Sequence, residues 1–244
     1  MHSTRFVLIN TSHAGNVGAT ARAMKVMGFH DLVLVAPRFA DVLCHEEAVA
    51  MASGAADILA RARVVGTLAE ALDGVDFACA TAMTPRDFGP PTHEPRALFA
   101  DLAAREPAPR LALVFGSERY GMSNEDVYRC HAVLSIPTHP DYGSLNLAQA
   151  VQLLAYDLRQ AIGGFDVQAR TPDPERADGR AVQGLLEHLQ AALTDIGYLD
   201  PAAPKKLMPR LNQLFNRAAL TNEEVHILRG IARQMQKTSA RSGS

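Results

Sequence analysis

Two short apolar runs between residues 111 and 158, each followed by a glycine-bearing loop, constrain the fold of this chain most strongly. Leu111–Phe115 has the length of a buried strand, and Gly116 after it permits a tight exit with close approach of the backbone to a ligand. The second run ends at Ile136, and its loop leads to Ser144, the expected N-cap of a long amphipathic helix. Because ligands of open α/β sheets bind at the carboxyl ends of strands, the two loops predict one ligand site.

The rest of the first 160 residues alternates between strand and helix patterns. Further strands are expected near residues 5–10, 32–36, 64–65 and 77–82, residues 40–62 are expected to be helical, and residues 83–95 read as an irregular loop. This alternation predicts an α/β fold with a mainly parallel sheet. A dinucleotide-binding unit is an alternative for the first strands, but Gly15-x-x-Gly18 lacks the glycine fingerprint, and Pro37-Arg38 stands where an acid would bind a ribose.

The composition changes after residue 163 and divides the chain. Residues 164–179 are rich in Gly, Asp, Pro and Arg, as in a linker, so we expect a main domain over residues 1–163. Residues 180–244 carry three amphipathic helical patterns, the third opened by the capping box Thr221-x-x-Glu224, and we expect disorder after Lys237. The second part is therefore predicted to be a small, all-helical extension.

The charges are unevenly distributed. The net charge of −2 would by itself argue against a nucleic-acid partner, yet residues 201–244 hold eight Lys and Arg against two Glu, a net charge of +6. The remaining 16 basic and 24 acidic residues leave the first 200 residues at −8. A basic tail on an acidic body is typical of a phosphate-binding surface, and solvated faces of ordinary helices remain the alternative.

The cysteines and histidines give no pattern of a metal site or a disulfide framework. Three widely spaced cysteines offer no Cys-x-x-Cys pair, and the cluster Cys44-His45-Glu46-Glu47 reads as a helix start rather than a metal site. No apolar run approaches the ~20 residues of a membrane span. We expect reduced thiols, no metal, no membrane association and a cytoplasmic location.

Three ordered motifs connect the sequence to a known family. Residues 115–122, Phe-Gly-Ser-Glu-Arg-Tyr-Gly-Met, followed by Ile136-Pro137 and by residues 144–151, Ser-Leu-Asn-Leu-Ala-Gln-Ala-Val, resemble the second and third motifs of the SpoU branch of SPOUT RNA methyltransferases. The first motif of that branch is present as Asn16-Val-Gly18-Ala-Thr-Ala-Arg22. With a helical tail behind these motifs, the resemblance is closest to the TrmJ-type tRNA ribose 2'-O-methyltransferases.

This resemblance implies a fold, an assembly and a reaction. Such enzymes tie a trefoil knot in the C-terminal part of the main domain, which here would thread residues 144–158 through a loop, and they work as homodimers. They transfer a methyl group from S-adenosyl-L-methionine to a ribose 2'-hydroxyl, here expected at cytidine or uridine 32 of the tRNA anticodon loop. Two alternatives keep the reaction and change the substrate, either to another tRNA position or to ribosomal RNA. Two others change the function, to a non-catalytic RNA-binding module or to a nucleotide-dependent oxidoreductase.

The resemblance also assigns roles to single residues. Arg22 is the expected catalytic residue, and because a guanidinium has a pKa above ~12, we expect it to clamp a phosphate and stabilise the developing alkoxide rather than act as a base. Asn16 and Glu118 are expected to orient the loop and the arginine, and Ser144 completes the catalytic set. Two roles of Glu118 stay open, one as a general acid or base and the other as a loop cap. The expected cofactor contacts are Thr81, Ala82, Met83, Gly116, Ile136, Gly143, Ser144, Leu145 and Asn146.

Expected RNA contacts come from both parts of the chain. Tyr142 could stack on a nucleotide or pack within its loop, and the loop arginines suit RNA phosphates. The full expected set is Arg22, Arg86, Arg119, Tyr142, Lys205, Lys206 and Arg210.

Overall fold

The computed structural model describes residues 4–82, 87–168, 171 and 173–242. Its contacts divide the chain into two compact units, Met1–Asp166 and Val167–Ser244. Each unit has its own hydrophobic core.

A parallel sheet forms the centre of the first unit. Its strands are β1 (Thr4–Ile9), β2 (Asp31–Val35), β3 (Arg63–Val65), β4 (Phe77–Thr81), β5 (Thr92–His93), β6 (Leu111–Phe115) and β7 (Ala132–Leu134). The described strands are ordered β3-β2-β1-β6-β4-β7-β5, and every pair is parallel. The predicted parallel α/β sheet is thus confirmed.

Strand β5 lies in a segment that we predicted to be an irregular loop. Its two residues pair with β7 at the edge of the sheet, Thr92 opposite Val133 and His93 opposite Leu134. The loop prediction is therefore wrong at these residues, because an edge pairing formed with a partner forty residues away leaves no local signal in a segment rich in proline.

Helices cover both faces of the sheet. Phe6 and Leu8 of β1 join one core with residues of five helices, whereas Val7 and Ile9 join the opposite core with residues of two helices. Those on the first face are α1 (Ala14–Val26), α2 (Glu46–Ala52), α3 (Ala56–Arg61), α5 (Pro95–Ala103) and α7 (Leu147–Ala161); those on the second are α4 (Leu68–Ala71) and α6 (Asn124–Tyr128). A 3₁₀ turn, Ser53–Ala55, joins α2 to α3.

The α1 and α2 helices pack at a glycine of the first motif. A Cβ atom on Gly18 would lie 2.0 Å from the carbonyl oxygen of Ala48 and 2.9 Å from the backbone nitrogen of Ala52. Because both neighbours are backbone atoms of α2, they cannot turn aside as a flexible side chain would. Gly18 therefore sets how closely the two helices approach.

Arg159 of α7 contacts both the turn that follows α1 and the segment that follows α7 itself. Its guanidinium lies over the rings of Phe29 and Phe165, 4.9 and 4.7 Å from their centroids. It also donates to the carbonyl oxygens of Met27 and Gly28 at 2.7 and 3.3 Å. Cation–π contacts and charged hydrogen bonds of this kind hold the turn between α1 and β2 against α7.

The helix caps correct one prediction. Ser123 caps α6, and its hydroxyl accepts from the Asp126 N–H and donates to the Asp126 carboxylate. The prediction of Ser144 as the cap of α7 is wrong, since α7 begins after Asn146, whose side chain accepts from the N–H groups of Ala148 and Gln149. The amide oxygen of Gln149 accepts in return from the Asn146 N–H at 3.3 Å, which completes a capping box.

The second unit is helical. Its helices are α8 (Gly179–Asp195), α9 (Leu207–Ala218) and α10 (Asn222–Ser242), and Leu185, Phe215 and Val225 belong to its core. The predicted capping box is confirmed, because the Thr221 hydroxyl accepts from the Glu224 N–H and the Glu224 carboxylate accepts from the Thr221 N–H. The expected disorder after Lys237 is wrong for residues 238–242, which continue α10.

The segment before α8 is also part of the second unit. The Ala177 N–H donates to the carbonyl of Leu220, and the Asn222 N–H donates to the carbonyl of Glu175.

Within the described residues, no helix is long and apolar enough to cross a bilayer. The trefoil knot stays a prediction.

Candidate active site

A cleft of about 290 Å³ opens at the carboxyl ends of β4, β6 and β7. Seven of the expected cofactor contacts line it: Thr81, Ala82, Gly116, Ile136, Gly143, Ser144 and Leu145. Met83 lies outside the described residues. We call this cavity the cofactor cleft.

The lining of the cofactor cleft is mostly uncharged. Leu134, Ile136 and Leu147 supply apolar surface, Ser117 and Thr138 supply hydroxyls, and the loop glycines expose backbone groups. The charged side chain among its described lining residues is Glu118. The cleft therefore suits a ligand that is partly apolar and carries positive rather than negative charge.

Gly116 is required for a different reason from the one the sequence suggested. A Cβ atom there would lie 2.2 Å from the carbonyl carbon of Gly121 and 2.4 Å from the nitrogen of Met122. The close approach at Gly116 is thus between two segments of the protein backbone. It folds the loop after β6 back on itself, where Ser117 and Gly121 exchange two backbone hydrogen bonds.

Glu118 joins the loop after β6 to the loop after β1. One carboxylate oxygen accepts from the Thr11 hydroxyl at 3.0 Å and from the Asn16 amide at 2.8 Å. The other accepts from the Ser12 N–H at 2.9 Å and from the Ser12 hydroxyl at 2.8 Å. Thr11 and Ser12 were not among the predicted site residues, and the signal for them was only that both are polar and directly follow a strand.

These hydrogen bonds decide the ionisation of Glu118. Burial raises the pKa of its carboxyl, but the hydrogen bonds from Asn16 and Ser12 outweigh burial and hold the pKa at about 2. The group is therefore a carboxylate at neutral pH, with four donors already bound. This geometry favours the loop-cap interpretation over a general acid or base.

Asn16 extends the network to the third motif. Its amide nitrogen donates to Glu118, and its amide oxygen accepts from the Asn146 amide at 3.0 Å. Asn146 in turn caps α7. One chain of side-chain hydrogen bonds therefore links the three sequence motifs at the cofactor cleft.

The predicted RNA contacts occupy exposed positions wherever they are described. Arg22, on α1, has no hydrogen bond or ion pair with any residue in the described part of the chain. The Arg119 guanidinium lies over the Tyr120 ring at 5.2 Å, and Tyr142 is 77% exposed. Arg86 lies outside the described residues, and the predicted contacts of the second unit, Lys205, Lys206 and Arg210, are all exposed.

The two buried thiols and His45 belong to the scaffold of the first unit rather than to a reactive or metal-binding site. Burial raises the pKa of the Cys79 and Cys130 thiols to about 12, so neither forms a thiolate at neutral pH. His45 caps α2 through a bond from the Glu47 N–H, which confirms the predicted helix start. The described residues contain no group of three potential metal ligands.

Comparison with known proteins gives matches over both units. Residues 3–156 match the family model described as the SpoU rRNA Methylase family, and residues 180–244 match that of the tRNA methyltransferase TrmJ, C-terminal domain. A tRNA (cytidine/uridine/adenosine-2'-O-)-methyltransferase TrmJ from Pseudomonas aeruginosa is 43% identical over 247 residues, covering 96% of this chain and 94% of the relative. A tRNA (cytidine/uridine-2'-O-)-methyltransferase TrmJ from Photorhabdus laumondii is 38% identical, covering 97% and 98%.

A solved structure extends these matches to the fold. The crystal structure of TrmJ from Z. mobilis superposes with a TM-score of 0.78 at 29% identity, covering 96% of this chain and 99% of that chain. The similarity therefore includes the sheet and the helical second unit.

Proposed function

The chain belongs to the SpoU rRNA methylase family and, within it, to the TrmJ tRNA methyltransferases, and on that premise we propose that it methylates a ribose 2'-hydroxyl of tRNA. The methyl donor is S-adenosyl-L-methionine, and the nucleoside is cytidine or uridine at position 32 of the anticodon loop. The reaction class and the tRNA substrate are those named for its relatives. Position 32 rests on the TrmJ-type resemblance alone.

The charge of the cofactor cleft is the observation that carries the proposal. A sulfonium cation needs a site with little positive charge, and the charged side chain among the described lining residues is the Glu118 carboxylate. The apolar side chains of Leu134, Ile136 and Leu147 suit an adenine ring. Residues and ligand therefore fit in charge and in polarity.

The proposed contacts are the residues at the strand ends. Backbone groups of Thr81 and Ala82, of Gly116, and of residues 143–145 would hold the cofactor, with Asn146 keeping the third motif in place. S-adenosyl-L-methionine supplies an activated methyl group that already carries its leaving group. The protein's own contribution is then to bind the two reactants and to orient them.

Arg22 is the proposed catalytic residue. An exposed guanidinium without a partner in the described chain is available to an RNA phosphate and to the oxygen that develops negative charge. Asn16 and Glu118 are positioning residues in this proposal, because their hydrogen bonds are made to protein groups. Ser144 lines the cleft and does not cap α7, so its hydroxyl remains available for a ligand.

The proposed RNA contacts include the second unit. Lys205, Lys206 and Arg210 are exposed, and residues 201–244 carry a net charge of +6. Such a surface attracts the phosphate backbone of a tRNA regardless of its sequence. A homodimer and a cytoplasmic location complete the proposal, on the strength of the family resemblance.

Methyl transfer from labelled S-adenosyl-L-methionine into unmodified tRNA transcript tests this proposal. We expect incorporation by the wild-type protein and a loss of at least about a hundredfold in kcat for Arg22→Ala, with cofactor binding retained. Arg105→Ala is the matched control, since this arginine pairs with Asp101 and contacts the ring of Phe77 at the opposite end of the sheet.

Ribosomal RNA is the second candidate substrate, because the family model that matches residues 3–156 is described by rRNA methylation. Parallel reactions with ribosomal RNA separate the two. Incorporation into ribosomal RNA and none into tRNA would replace the substrate and keep the reaction. No incorporation into either RNA, with RNA binding intact, would favour a non-catalytic RNA-binding module.

A further inference from the structure

A second cleft, of about 440 Å³, adjoins the cofactor cleft and has no role in the reaction described so far. Asn10 from the end of β1, Arg38 from the loop after β2, and Arg119 and Tyr120 from the loop after β6 line it. Strand β1 is the point at which the chain's path through the sheet reverses, with β2 and β3 on one side and β6 on the other. Ligands of open α/β sheets bind at such switch points. We call this cavity the lateral cleft.

We propose that the lateral cleft binds a single-stranded nucleotide of the RNA substrate, with the base on Tyr120 and the phosphates on Arg38 and Arg119. This inference rests on the proposed function, and it adds Arg38 and Tyr120 to the RNA contacts, since of the three residues only Arg119 is among those expected from the sequence.

The charges of the lateral cleft favour an anion. Arg38 and Arg119 are exposed, and their guanidinium groups form no ion pair or hydrogen bond with another residue of the described chain. The acid at the cleft, Asp126, accepts a 2.7 Å hydrogen bond from the Ser123 hydroxyl. Two unpaired guanidinium groups beside one already bound carboxylate suit a phosphodiester.

An exposed aromatic ring gives the site its preference for a nucleotide over a simple anion. Tyr120 is 79% exposed, and the Arg119 guanidinium lies over its ring at 5.2 Å from the centroid. Even with this contact, the exposed fraction of Tyr120 leaves ring surface accessible to a base. Proteins that bind unpaired bases stack them on aromatic rings and on arginine planes in this arrangement.

Two backbone hydrogen bonds hold the loops after β1 and β2 together at the lateral cleft. The Asn10 N–H donates to the carbonyl of Val35 at 2.9 Å, and the Arg38 N–H donates to the carbonyl of Thr11 at 3.0 Å. Asn10 and Ala36, the residues that directly follow the two strands, have φ values of 49° and 43°. This backbone arrangement places Arg38 at the cleft.

The position of the lateral cleft matches the needs of the reaction. Ser117, Gly121 and Met122 line both clefts, so the folded-back loop after β6 is their common wall. A nucleotide in the lateral cleft would lie next to the methyl donor. Glu118, which fixes this loop to Thr11, Ser12 and Asn16, then fixes both sites at once.

Steady-state methylation of tRNA by Tyr120→Ala and Arg38→Ala tests the inference. For Tyr120→Ala we expect the KM for tRNA to rise about 5- to 100-fold, because one stacked base is lost, and Tyr120→Phe should bring it back to within about threefold. For Arg38→Ala the slope of log Kd for tRNA against log salt should fall by about 0.7, the share of one phosphate contact on a single strand. Binding of S-adenosyl-L-methionine, measured by calorimetry, should stay at its wild-type value.

The outcomes separate this inference from the proposed function. Arg105→Ala controls for the loss of a positive charge, and circular dichroism checks that each variant is folded. Wild-type KM and salt slope in Tyr120→Ala and Arg38→Ala, with methylation intact, would refute the lateral site and leave the function standing. A parallel loss of cofactor affinity would also refute it, because the cleft would then serve only to hold the loop. Absence of methyl transfer by the wild-type protein would instead contradict the proposed function.

Discussion

Replacing Glu118 by Gln tests whether its carboxylate holds the site together. Its two oxygens accept from the Asn16 amide and the Ser12 N–H respectively, so the new amide nitrogen must face one of these donors in either orientation. The fall in pKa from an ordinary 4.5 to about 2 would be worth roughly 3 kcal/mol at full strength. Solvent screening of this partly exposed group reduces that to roughly 1–2 kcal/mol. We expect the melting temperature at pH 7 to fall by roughly 2–8 °C.

The pH dependence identifies the carboxylate as the cause. Because the folded-state pKa is lowered, the stabilisation is complete well above 4.5 and is lost as the pH falls toward 2. The deficit of Glu118→Gln should shrink to roughly three quarters at pH 4 and to under half at about pH 3. Glu125→Gln is the matched control, since the Glu125 side chain is 80% exposed and, among the described residues, forms an ion pair only with Arg129, the C-cap of α6. A wild-type melting temperature of Glu118→Gln at pH 7, or a deficit that persists undiminished at pH 3, would show that the Glu118 carboxylate does not stabilise the fold.

Two further substitutions test the packing of the first unit by thermal unfolding. Gly18→Ala should lower the free energy of unfolding by roughly 1–3 kcal/mol, because the new methyl group meets the backbone of Ala48. The control Gly230→Ala, in open space on α10, should instead raise it by up to about 1 kcal/mol. Equal effects of the two substitutions would contradict the close contact between α1 and α2. Arg159→Met should lower the free energy of unfolding by roughly 1–3 kcal/mol, because it removes a guanidinium that contacts two aromatic rings and donates to two backbone carbonyls. Arg129→Met, which breaks the exposed ion pair with Glu125, should leave the midpoint unchanged, and a similar loss in both variants would count against a stabilising role of the Arg159 guanidinium.

The fold was largely predictable because its signals are local. Apolar runs such as Leu111–Phe115 carry the strand signal, and Ser123 and Thr221 mark helix starts through a partner three residues on. The cap of α7 could have been found by the same rule, since Asn146 has Gln149 at the reciprocal position and Ser144 has Leu147. The short strand β5 left no such signal, because its pairing partner is distant in the sequence.

The site was predictable only as far as its motifs reach. Glu118 is more than a hundred residues from Thr11, Ser12 and Asn16, so neither its four donors nor its low pKa could be inferred from spacing. The role of Gly116 depends likewise on where the backbone of residues 121–122 returns. Arg38 was visible only as the residue after Pro37, and its position in the same cleft as Tyr120 follows from the order of the strands.

Nucleoside mass spectrometry of tRNA transcript after reaction with this protein and S-adenosyl-L-methionine tests the proposed activity and its key residue together. We expect 2'-O-methylcytidine or 2'-O-methyluridine, mapped by fragment masses to position 32, with the wild-type protein, and loss of this product with Arg22→Ala. A methyl group on a base, or the same ribose product from Arg22→Ala at an undiminished rate, would contradict it.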